Sequence, residues 1–592
     1  MPVHYIKTND SARIPQRLIV VDVQSSVHAQ KSGETHGWGC ASVVYTNWTK
    51  KGTIMQEVKQ YTDVELLWKE VGEFTRAKRR TVLYMHNVPY AFVVSQGLRW
   101  LPVGGWELAR IRVDSRGSWS KWSREGATLC IADVASVFPV QIQTLAKTVG
   151  LRALASRPEL GTDYALKRSE RAVEIMGKVM LQYFEWLRSG AAGNWQITGA
   201  GQAWAHWRHN FYTHKILVHQ DAEAREMERA AMYCGRSEAY RWGRDISAPI
   251  YEYDWSSAYP RIARDADVPT RLLSETGRMP IQDFLRISKR HAVLAECEIT
   301  TEVECVPTRI DGRIVWPVGK FTSVLWGPEI ELLCANNAHV YITRARVYAK
   351  EPALATWAEH ILHPEHEAAI GYLRWIPLVY KHWSRALIGR FATRYQEWEL
   401  FGKGLPARLC IGTMLNTRDN TTTETLQVGD TLYTLAEYSD GENSAPQITG
   451  YIMSLARVKL WEAMVTVGRE NVLYCDTDSL IVNARGKVNI LKQHGEGIFD
   501  GLIEKGRHRG YEIFGPQQAV IGNTYKLSGI PRNARRVTQT TWDGEVWSSL
   551  QTGLKSGVID SVRVTAKRFT ATYRESRRIR GTDGTTAAIR LG

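Results

Sequence analysis

Two aspartates separated by one residue stand in Tyr474-Cys-Asp-Thr-Asp-Ser479, between two short apolar runs. An apolar run, an acidic turn and a second apolar run predict a β-hairpin with the carboxylates of Asp476 and Asp478 at its tip. Carboxylates this close repel each other unless a cation lies between them, and Mg²⁺ is a hard cation that oxygen ligands suit. A solvated acidic turn without function is the simpler interpretation of this segment taken alone.

A third aspartate, Asp254, is predicted at the carboxyl end of a strand. The segment Tyr251-Glu-Tyr-Asp-Trp-Ser-Ser-Ala-Tyr-Pro260 indicates a strand, a turn and a helix that starts after Pro260, since proline is well tolerated in a first helical turn. The exposed amides of such a turn suit a phosphate. The segment therefore predicts a carboxylate beside a phosphate site.

A basic helix face is predicted in the segment 381–392. Lys381, Arg385 and Gly389 follow one another at intervals of four residues and so share one face of a helix. Two cations on one face repel unless an anion lies across them, and a triphosphate would serve. A solvated basic face is the alternative, and it is the simpler one for this segment alone.

The elements that would position these groups are indicated by hydrophobic periodicity. Buried strands are predicted at 17–23 and 81–87, and helical spacing runs from 164 to 187, so the first 190 residues are expected to be α/β. The glycine-rich stretch 189–203 is predicted to be a linker, and the polar stretch 416–446 a loop.

The composition is that of a folded, basic protein. The chain has 592 residues, of which 44% are hydrophobic, with 76 Lys+Arg against 61 Asp+Glu and a net charge of +15. The length allows about four domains, and the hydrophobic content excludes a mainly disordered chain. The positive charge favours a polyanionic partner, above all nucleic acid, and charge kept only for solubility is the alternative.

The cysteines and the hydropathy exclude other classes. The eight cysteines are scattered without a C-x-x-C pair, which argues against a zinc site or a disulfide framework and fits a reducing compartment. The sequence has neither a secretory signal pattern nor an apolar run of about 18 residues. A reducing compartment such as the cytoplasm is therefore the expected location.

Together, the three segments strongly resemble motifs A, B and C of family B DNA polymerases. The family's motif A, Asp-x-x-Ser-Leu-Tyr-Pro, is matched by Asp254-Trp-Ser-Ser-Ala-Tyr-Pro260, and its motif C, Tyr-x-Asp-Thr-Asp-Ser, is complete at 474–479. The order and spacing of the segments also fit. The compact length and the insertion-sized gaps beside motif B are most similar to the protein-primed branch of phages and linear plasmids, and 447–459 is similar to its helix entering motif C.

The resemblance implies an α/β and α+β multidomain fold, with an RNase H-like exonuclease-type domain followed by a right-hand polymerase of palm, fingers and thumb. The expected units are 1–190 (exonuclease-like), 191–245 (linker and template contact), 246–370 (palm with motif A and an insertion), 371–405 (fingers with motif B), 406–446 (second insertion), 447–530 (palm with motif C) and 531–592 (thumb with a basic C-terminus).

The resemblance also implies template-directed addition of dNMPs to a 3′-hydroxyl by two Mg²⁺ ions, for which Mn²⁺ can substitute. The expected partners are primer–template DNA, dNTPs and a terminal protein primer, bound by a monomer. The implied site residues are Asp254, Asp476 and Asp478 for catalysis and, with the carbonyl of Trp255, for metal binding; Ser257, Tyr259, Arg374, Lys381, Arg385, Ile388 and Gly389 for dNTP binding; and Tyr233, Gly235, Arg236, Tyr474, Tyr525 and Lys526 for primer and template.

Three motifs depart from the family. Motif B, usually Asn-Ser-x-Tyr-Gly, is Arg385-Ala-Leu-Ile-Gly389 here, so the tyrosine that would pack on the templating pair becomes Ile388. The Lys-x-Tyr motif that steadies the primer terminus is Asn523-Thr-Tyr525, with Lys526 adjoining. The linker motif Tyr-x-Gly-Gly/Ala is Tyr233-Cys-Gly-Arg236.

The N-terminal region resembles a 3′–5′ exonuclease that has lost its catalytic acids. The family's Asp-x-Glu is Asp22-Val-Gln24 here. The second motif, Asn-x-x-x-Phe-Asp, is Asn87-Val-Pro-Tyr-Ala91-Phe92 and lacks the acid, and the third, Tyr-x-x-x-Asp, is Tyr164-Ala-Leu-Lys-Arg168. One carboxylate of four cannot assemble a two-metal site, so the module is predicted to be folded but inactive in proofreading. A shifted alignment in which Asp163 or Glu170 contributes is the alternative.

Two further functions stay open at this point. The chain could be a nucleic-acid-binding protein with a degenerate polymerase fold, although the intact Asp254, Asp476 and Asp478 argue against it. It could also be a primer-independent or template-independent nucleotidyltransferase, which the altered motif B allows. The leading hypothesis is a DNA polymerase that replicates a viral or mobile-element genome without proofreading.

Overall fold

A computed structural model describes residues 3–30, 33–48, 54–112, 119–154, 162–368, 371, 373–492, 499–572 and 577–592. Its α-helices are α1 (Val64–Phe74), α2 (Val88–Val94), α3 (Gly97–Val103), α4 (Ile142–Thr148), α5 (Thr162–Arg188), α6 (Gly199–Asn210), α7 (Ala222–Ala230), α8 (Ala258–Asp265), α9 (Ile281–Ile287), α10 (Gly327–Ala335), α11 (Ala355–Leu362), α12 (Glu365–Ala368), α13 (Ile376–Phe391), α14 (Pro446–Val467), α15 (Ala484–Leu491) and α16 (Leu550–Ser556).

The strands of the first half are β1 (His4–Tyr5), β2 (Arg17–Gln30), β3 (Gly33–Trp48), β4 (Ile54–Tyr61), β5 (Arg80–Met85), β6 (Glu107–Arg112), β7 (Trp119–Arg124), β8 (Ala127–Asp133), β9 (Leu217–Val218), β10 (Ser237–Ala239), β11 (Gly243–Trp255), β12 (Val268–Thr276), β13 (His291–Thr301), β14 (Thr308–Ile310), β15 (Arg313–Val315), β16 (Val318–Trp326) and β17 (His339–Glu351).

The strands of the second half are β18 (Arg394–Tyr395), β19 (Trp398–Asn416), β20 (Thr421–Leu435), β21 (Ser439–Asp440), β22 (Val472–Asp476), β23 (Ser479–Asn483), β24 (Leu502–Gly515), β25 (Gln518–Ile521), β26 (Thr524–Leu527), β27 (Arg535–Arg536), β28 (Thr541–Trp547), β29 (Val562–Thr570), β30 (Arg578–Arg580), β31 (Thr586–Ala588) and β32 (Arg590–Leu591). None of the helices in the described ranges is both long and apolar enough to span a bilayer.

The N-terminal sheet is covered on both faces. Its central strands β2, β5 and β8 run parallel, and successive side chains of β2 point to opposite sides. Leu18 and Val20 pack in the core that contains α5, whereas Ile19 and Val21 pack in the core that contains α1, α2 and α3. The near-continuous apolar run is typical of such a doubly covered strand, and the strands predicted at 17–23 and 81–87 and the helix predicted at 164–187 are confirmed.

The predicted linker at 189–203 is wrong in its last part, where α6 begins at Gly199. Thr198 caps this helix by accepting a hydrogen bond from the amide of Gly201. A Cβ on Gly199 would lie 2.3 Å from the carbonyl oxygen of Ser136 and 2.4 Å from the ring of His382. Glycine is needed at this position for close packing of the helix, rather than for flexibility.

The predicted loop at 416–446 is wrong for its central part, because β19 and β20 form one long antiparallel hairpin. Threonine is favoured in strands despite its polarity, and Leu426 and Val428 bury one part of the hairpin in the core of the N-terminal module. The hydroxyl of Tyr433 also donates to the carbonyl of Leu108 at 2.6 Å. The hairpin therefore joins distant parts of the chain.

A second, antiparallel sheet holds the predicted acidic segments. Its strand order is β10-β22-β23-β11-β24-β25-β26, so the strands that carry Asp254 and the Asp476–Asp478 hairpin are neighbours. α14 covers one face, where Trp461 and Met464 pack against Tyr253 and Leu480. This confirms the helix predicted at 447–459, which extends to Val467. The opposite face, near the hairpin tip, is left for the site.

The C-terminal segment is distributed over several sheets. β29 pairs with β3 of the N-terminal sheet, and β27 and β28 continue that sheet outward. β32 pairs with β16 in a further sheet of order β12-β17-β13-β16-β32. The region 531–592, expected to be a thumb, is thus tied to the first module and to the segment 268–351.

Candidate active site

Three carboxylates converge at one end of the second sheet, where β22 and β11 end on either side of β23. Asp476 is the last residue of β22, Asp478 follows after one residue, and the amide of Asp478 donates to the carbonyl of Asp476 at 2.7 Å. Asp254 lies opposite Ser479 in the β11–β23 register. The backbone amide of Trp255 donates to the carbonyl of Asp478 at 2.9 Å. The predicted hairpin is confirmed, and backbone hydrogen bonds fix the two acidic segments to each other.

The carboxylates share one open groove of about 750 Å³. The groove is also lined by Tyr525 and Lys526 on β26 and by Arg532. Tyr525 has 44% of its surface exposed, as a contact residue for a ligand should. Lys526 instead forms an ion pair with Glu252 of β11.

The electrostatics of the groove favour a cation between the carboxylates. Burial raises the pKa of Asp478, and the charges of Asp254 and Asp476 raise it further, while Arg385 opposes them. A divalent cation would relieve this repulsion, and its preferred ligands are carboxylate oxygens. In this sense the donor set fits Mg²⁺. In the described part of the chain, no three His, Cys, Asp or Glu side chains are already grouped closely enough to hold a metal ion.

The motif B segment lies on α13, as predicted, with Lys381, Arg385 and Gly389 on one exposed face. The guanidinium of Arg385 reaches to 3.9 Å from the carboxylate of Asp478. Arg374 is exposed in the turn before the helix. The helix therefore presents positive charge to the groove.

The prediction that Ile388 contacts a nucleotide is wrong. Ile388 is only 3% exposed and packs in the core on the opposite side of α13, where its carbonyl accepts a hydrogen bond from the hydroxyl of Thr449 at 2.6 Å. An isoleucine is drawn to the apolar face of an amphipathic helix. Gly389, the next residue, does face solvent, and a Cβ there would meet nothing within 4 Å.

The turn after Asp254 has a strained backbone. Ser257 has φ 55° and is exposed, and Thr477, between the two aspartates of the hairpin, has φ 61°. Left-handed conformations cost energy in residues other than glycine and are concentrated at functional sites. α8 starts at Ala258 and not after Pro260 as predicted.

The phenol of Tyr259, in the first turn of α8, is neutral. Burial and then the charge of Asp478 raise its pKa.

Three residues predicted to touch primer or template are buried structural residues instead. Tyr233 is 3% exposed, and its hydroxyl lies 2.9 Å from that of Ser323. Arg236 is 1% exposed and pairs with Glu238 at 2.6 Å. Tyr474 is also 1% exposed, and its hydroxyl accepts a hydrogen bond from the amide of Gln517 at 2.8 Å. Of the three, Arg236 contacts the motif C hairpin directly, because its carbonyl accepts a hydrogen bond from the amide of Thr477.

Gly235 has a direct structural role at the hairpin tip. A Cβ on Gly235 would lie 2.6 Å from Cγ2 and 2.9 Å from Cβ of Thr477, and the amide of Thr477 donates to the carbonyl of Arg236 at 2.7 Å. Glycine is therefore required for the close approach of this segment to the turn that carries both aspartates.

We expect Gly235→Ala to push Thr477 away and to displace the adjoining aspartates, lowering the rate of primer extension about tenfold or more, since shifts of about 1 Å at a catalytic group are costly. Single-turnover extension measures this rate. Thr477→Gly in the same chain removes the clashing side chain, so the double variant should recover activity relative to Gly235→Ala. A double variant as slow as Gly235→Ala would contradict the steric explanation.

Lys505 was missed by the sequence reasoning. Its ammonium lies 3.7 Å from the carboxylate of Asp254, although it belongs to β24 and to none of the motifs. A register shift between β11 and β24 places it there, and such a shift cannot be predicted from the sequence of one strand.

Comparison with known proteins agrees with this arrangement. Residues 172–402, which include the segment around Asp254 and α13, match the family described as DNA polymerase type B, organellar and viral. Phi29 DNA polymerase bound to primer–template DNA and incoming nucleotides superposes with a TM-score of 0.65 at 12% identity, covering 94% of this chain and 100% of that one. A second crystal form of phi29 DNA polymerase gives a TM-score of 0.67 at 13% identity with the same coverage.

The chain has the fold of a family B DNA polymerase. The resemblance inferred from the three motifs is thereby confirmed, as is the expected fold class, and the phi29 DNA polymerase complex with single-stranded DNA also superposes, with a TM-score of 0.66 at 13% identity. No curated protein matches the sequence.

In the exonuclease-like N-terminal module, Asp22 is the one carboxylate among the four positions where the family's exonuclease motifs have acids. Asp22 is half-buried, and desolvation raises its pKa to about 6, against the influence of Gln24, Ser169 and Arg168. The amide of Gln24 donates to the Asp22 carboxylate at 2.6 Å. A neutral amide and a nearby arginine thus surround Asp22.

The other acids of this region have different structural roles. Glu170 is exposed and accepts a hydrogen bond from Gln60 at 3.3 Å, whereas the adjacent Ser169 faces Asp22 and donates to its carbonyl at 3.0 Å. Asp133 caps α2 by accepting from the amides of Asn87 and Val88. Ala91 is buried, and Asp163 is exposed in the first turn of α5.

Proposed function

We propose that this protein is a template-directed DNA polymerase that adds dNMPs to a primer 3′-hydroxyl. The observation that carries the proposal is the convergence of Asp254, Asp476 and Asp478 in one groove that faces the basic side of α13. The polymerase fold and the matched family support it. Replication of a viral or mobile-element genome is the proposed role, and the description of the matched family as organellar and viral supports its viral part.

Residues of the groove and of the elements around it are proposed to have separate roles in the reaction. Asp254 and Asp478, with Asp476 and the carbonyl of Trp255 in support, would hold two Mg²⁺ ions, which Mn²⁺ could replace. When bound, such ions lower the pKa of the 3′-hydroxyl and neutralise the triphosphate and the leaving pyrophosphate. Lys381 and Arg385, with Arg374, would bind the triphosphate. Tyr259, neutral and half-buried, would lie beneath the sugar, with Ser257 at its edge.

The primer would lie against β26, where Tyr525 is exposed in the groove. Lys526, which is paired with Glu252, is available only at the cost of that ion pair. A terminal protein as primer and a monomeric state stay predictions. The N-terminal module is proposed to lack 3′–5′ proofreading, because Gln24, Phe92 and Arg168 stand at three of the four acid positions of the motifs and leave Asp22 as the one acid.

A primer-independent or template-independent nucleotidyltransferase is the second candidate. The observation that favours it is the altered motif B face, where Ile388 is buried and a glycine and an arginine are exposed. With no tyrosine at that position to pack on the templating pair, selection by the template could be weaker. Products formed without template or primer would identify this activity.

The test is extension of a labelled primer on a DNA template with Mg²⁺ and the four dNTPs. We expect extension that follows the template sequence, none when the template is omitted, and no shortening of the primer when dNTPs are omitted. Shortening would contradict the loss of proofreading, and extension without template would favour the second candidate. DNA binding without any extension would indicate a binding protein with a polymerase fold.

A further inference from the structure

Lys505 is directed at Asp254 by a β-bulge. In the pairing of β24 with β11, Gly506 lies opposite Glu252 and Glu504 lies opposite Tyr253, so that Lys505 is the extra residue between them. Bulges are frequent beside active sites because they redirect one side chain. Here the redirected ammonium lies 3.7 Å from Oδ2 of Asp254, and the side chains are 42% and 31% exposed.

The neighbouring lysines have other partners. Lys526 pairs with Glu252 on the same strand as Asp254. Lys487, on α15, pairs with Glu504 at 2.9 Å on the other side of β24. Among the ion pairs of the described residues, Lys505 is therefore the cation that contacts Asp254, while Arg385 contacts Asp478 from α13 at 3.9 Å. Two carboxylates of the groove are each neutralised by a cation from a different structural element.

This pairing conflicts with metal binding. An ammonium at this distance repels a divalent cation that uses the same carboxylate oxygens. The ion pair is partly solvated and hence weak, and lysine has a flexible four-carbon stem, so the ammonium can leave when a better anion arrives. Phosphates of the primer, which the groove is proposed to bind, are such anions.

Resting on the proposed function, we infer that Lys505 is an exchangeable counter-ion of Asp254. In the free protein the Lys505 ammonium pairs with the Asp254 carboxylate and weakens metal binding there. When primer–template DNA is bound, the ammonium moves to a primer phosphate, and Asp254 becomes available to the metal. The effect is to couple metal binding to the arrival of DNA. Lys505 thus acts as a positioning residue through Asp254.

Mn²⁺ binding to the full chain, followed by electron paramagnetic resonance, tests this directly. Without DNA, Lys505→Gln should bind Mn²⁺ about tenfold more tightly than the wild type, the scale of removing one partly screened charge. Lys505→Arg keeps the charge and should bind Mn²⁺ as weakly as the wild type. Lys487→Gln, which removes a lysine from the other side of β24, should leave Mn²⁺ affinity unchanged.

Addition of primer–template DNA should reduce the difference in Mn²⁺ affinity between the wild type and Lys505→Gln. The wild type should gain Mn²⁺ affinity on binding DNA, and Lys505→Gln should gain much less and show a KM for primer–template raised about tenfold. Equal Mn²⁺ affinity of wild type and Lys505→Gln in the free protein would overturn the inference. Asp254→Asn separates this failure from that of the proposed function, since Mn²⁺ binding unaffected by Asp254→Asn would overturn the metal site itself.

Discussion

Asp254→Asn and Asp478→Asn should each abolish primer extension, with the rate falling on the order of a thousandfold or more, as when a group that stabilises transition-state charge is lost. Asparagine has the shape of aspartate but no charge. The substitution therefore leaves the packing of β11 and β23 intact while removing a proposed ligand of a divalent cation. In Asp478→Asn the repulsion from Asp254 and Asp476 also disappears, so folding should be unharmed.

Single-turnover extension with saturating primer–template DNA measures this loss. Asp500→Asn is the matched control, because Asp500 pairs with Arg261 of α8 outside the groove and its replacement should leave the rate nearly unchanged. Near-wild-type extension by either aspartate variant would contradict the proposed mechanism.

The three aspartates could be predicted from sequence because their environment is local. A strand, a turn and a strand or helix within about ten residues place each carboxylate, and apolar flanks indicate these elements. The shared face of Lys381 and Arg385 is similarly a property of one helix. The same helical period could have excluded Ile388, which lies with the apolar residues of α13.

The residues that sequence reasoning misplaced depend on contacts distant along the chain. Arg236 was predicted to contact DNA, yet its guanidinium donates hydrogen bonds to the carboxylate of Glu238 and to the carbonyl of Glu304. Lys505 gave no signal, because a register shift between two strands directs it. The hairpin β19–β20 looked like a loop because its threonines are polar, and its burial depends on the N-terminal module.

A buried cluster of charges behind motif C gives the second large expected effect. Arg578 of β30 is 5% exposed and pairs with Glu304 at 2.8 Å and with Glu238 at 3.2 Å. Glu238 lies opposite Cys475 in the β10–β22 register, beside the first aspartate of the hairpin. Burial opposes ionisation of Glu238, but Arg236 and Arg578 outweigh it and hold its pKa below the ordinary value.

Arg578→Met should therefore destabilise this region by about 3–5 kcal/mol, because removing one partner leaves a buried charge uncompensated. Hydrogen exchange of backbone amides in β10 and β22 reports opening of this region separately from the rest of the chain. Their protection should fall roughly a hundredfold or more, since each 1.4 kcal/mol corresponds to a factor of ten. Primer extension should be lost at temperatures where the wild type is active.

The control is Arg590→Met, which removes an arginine from the same C-terminal segment. Arg590 pairs with Glu302 at the surface, where the two side chains are 61% and 71% exposed, so exchange in β10 and β22 should be unchanged. The lowered pKa of Glu238 stabilises the fold above the unfolded-state pKa, and this contribution is lost as pH falls through the folded-state pKa. The difference in protection between the wild type and Arg578→Met should therefore shrink as the pH falls. Equal protection in Arg578→Met and Arg590→Met would mean that the buried charges do not hold the motif C hairpin in place.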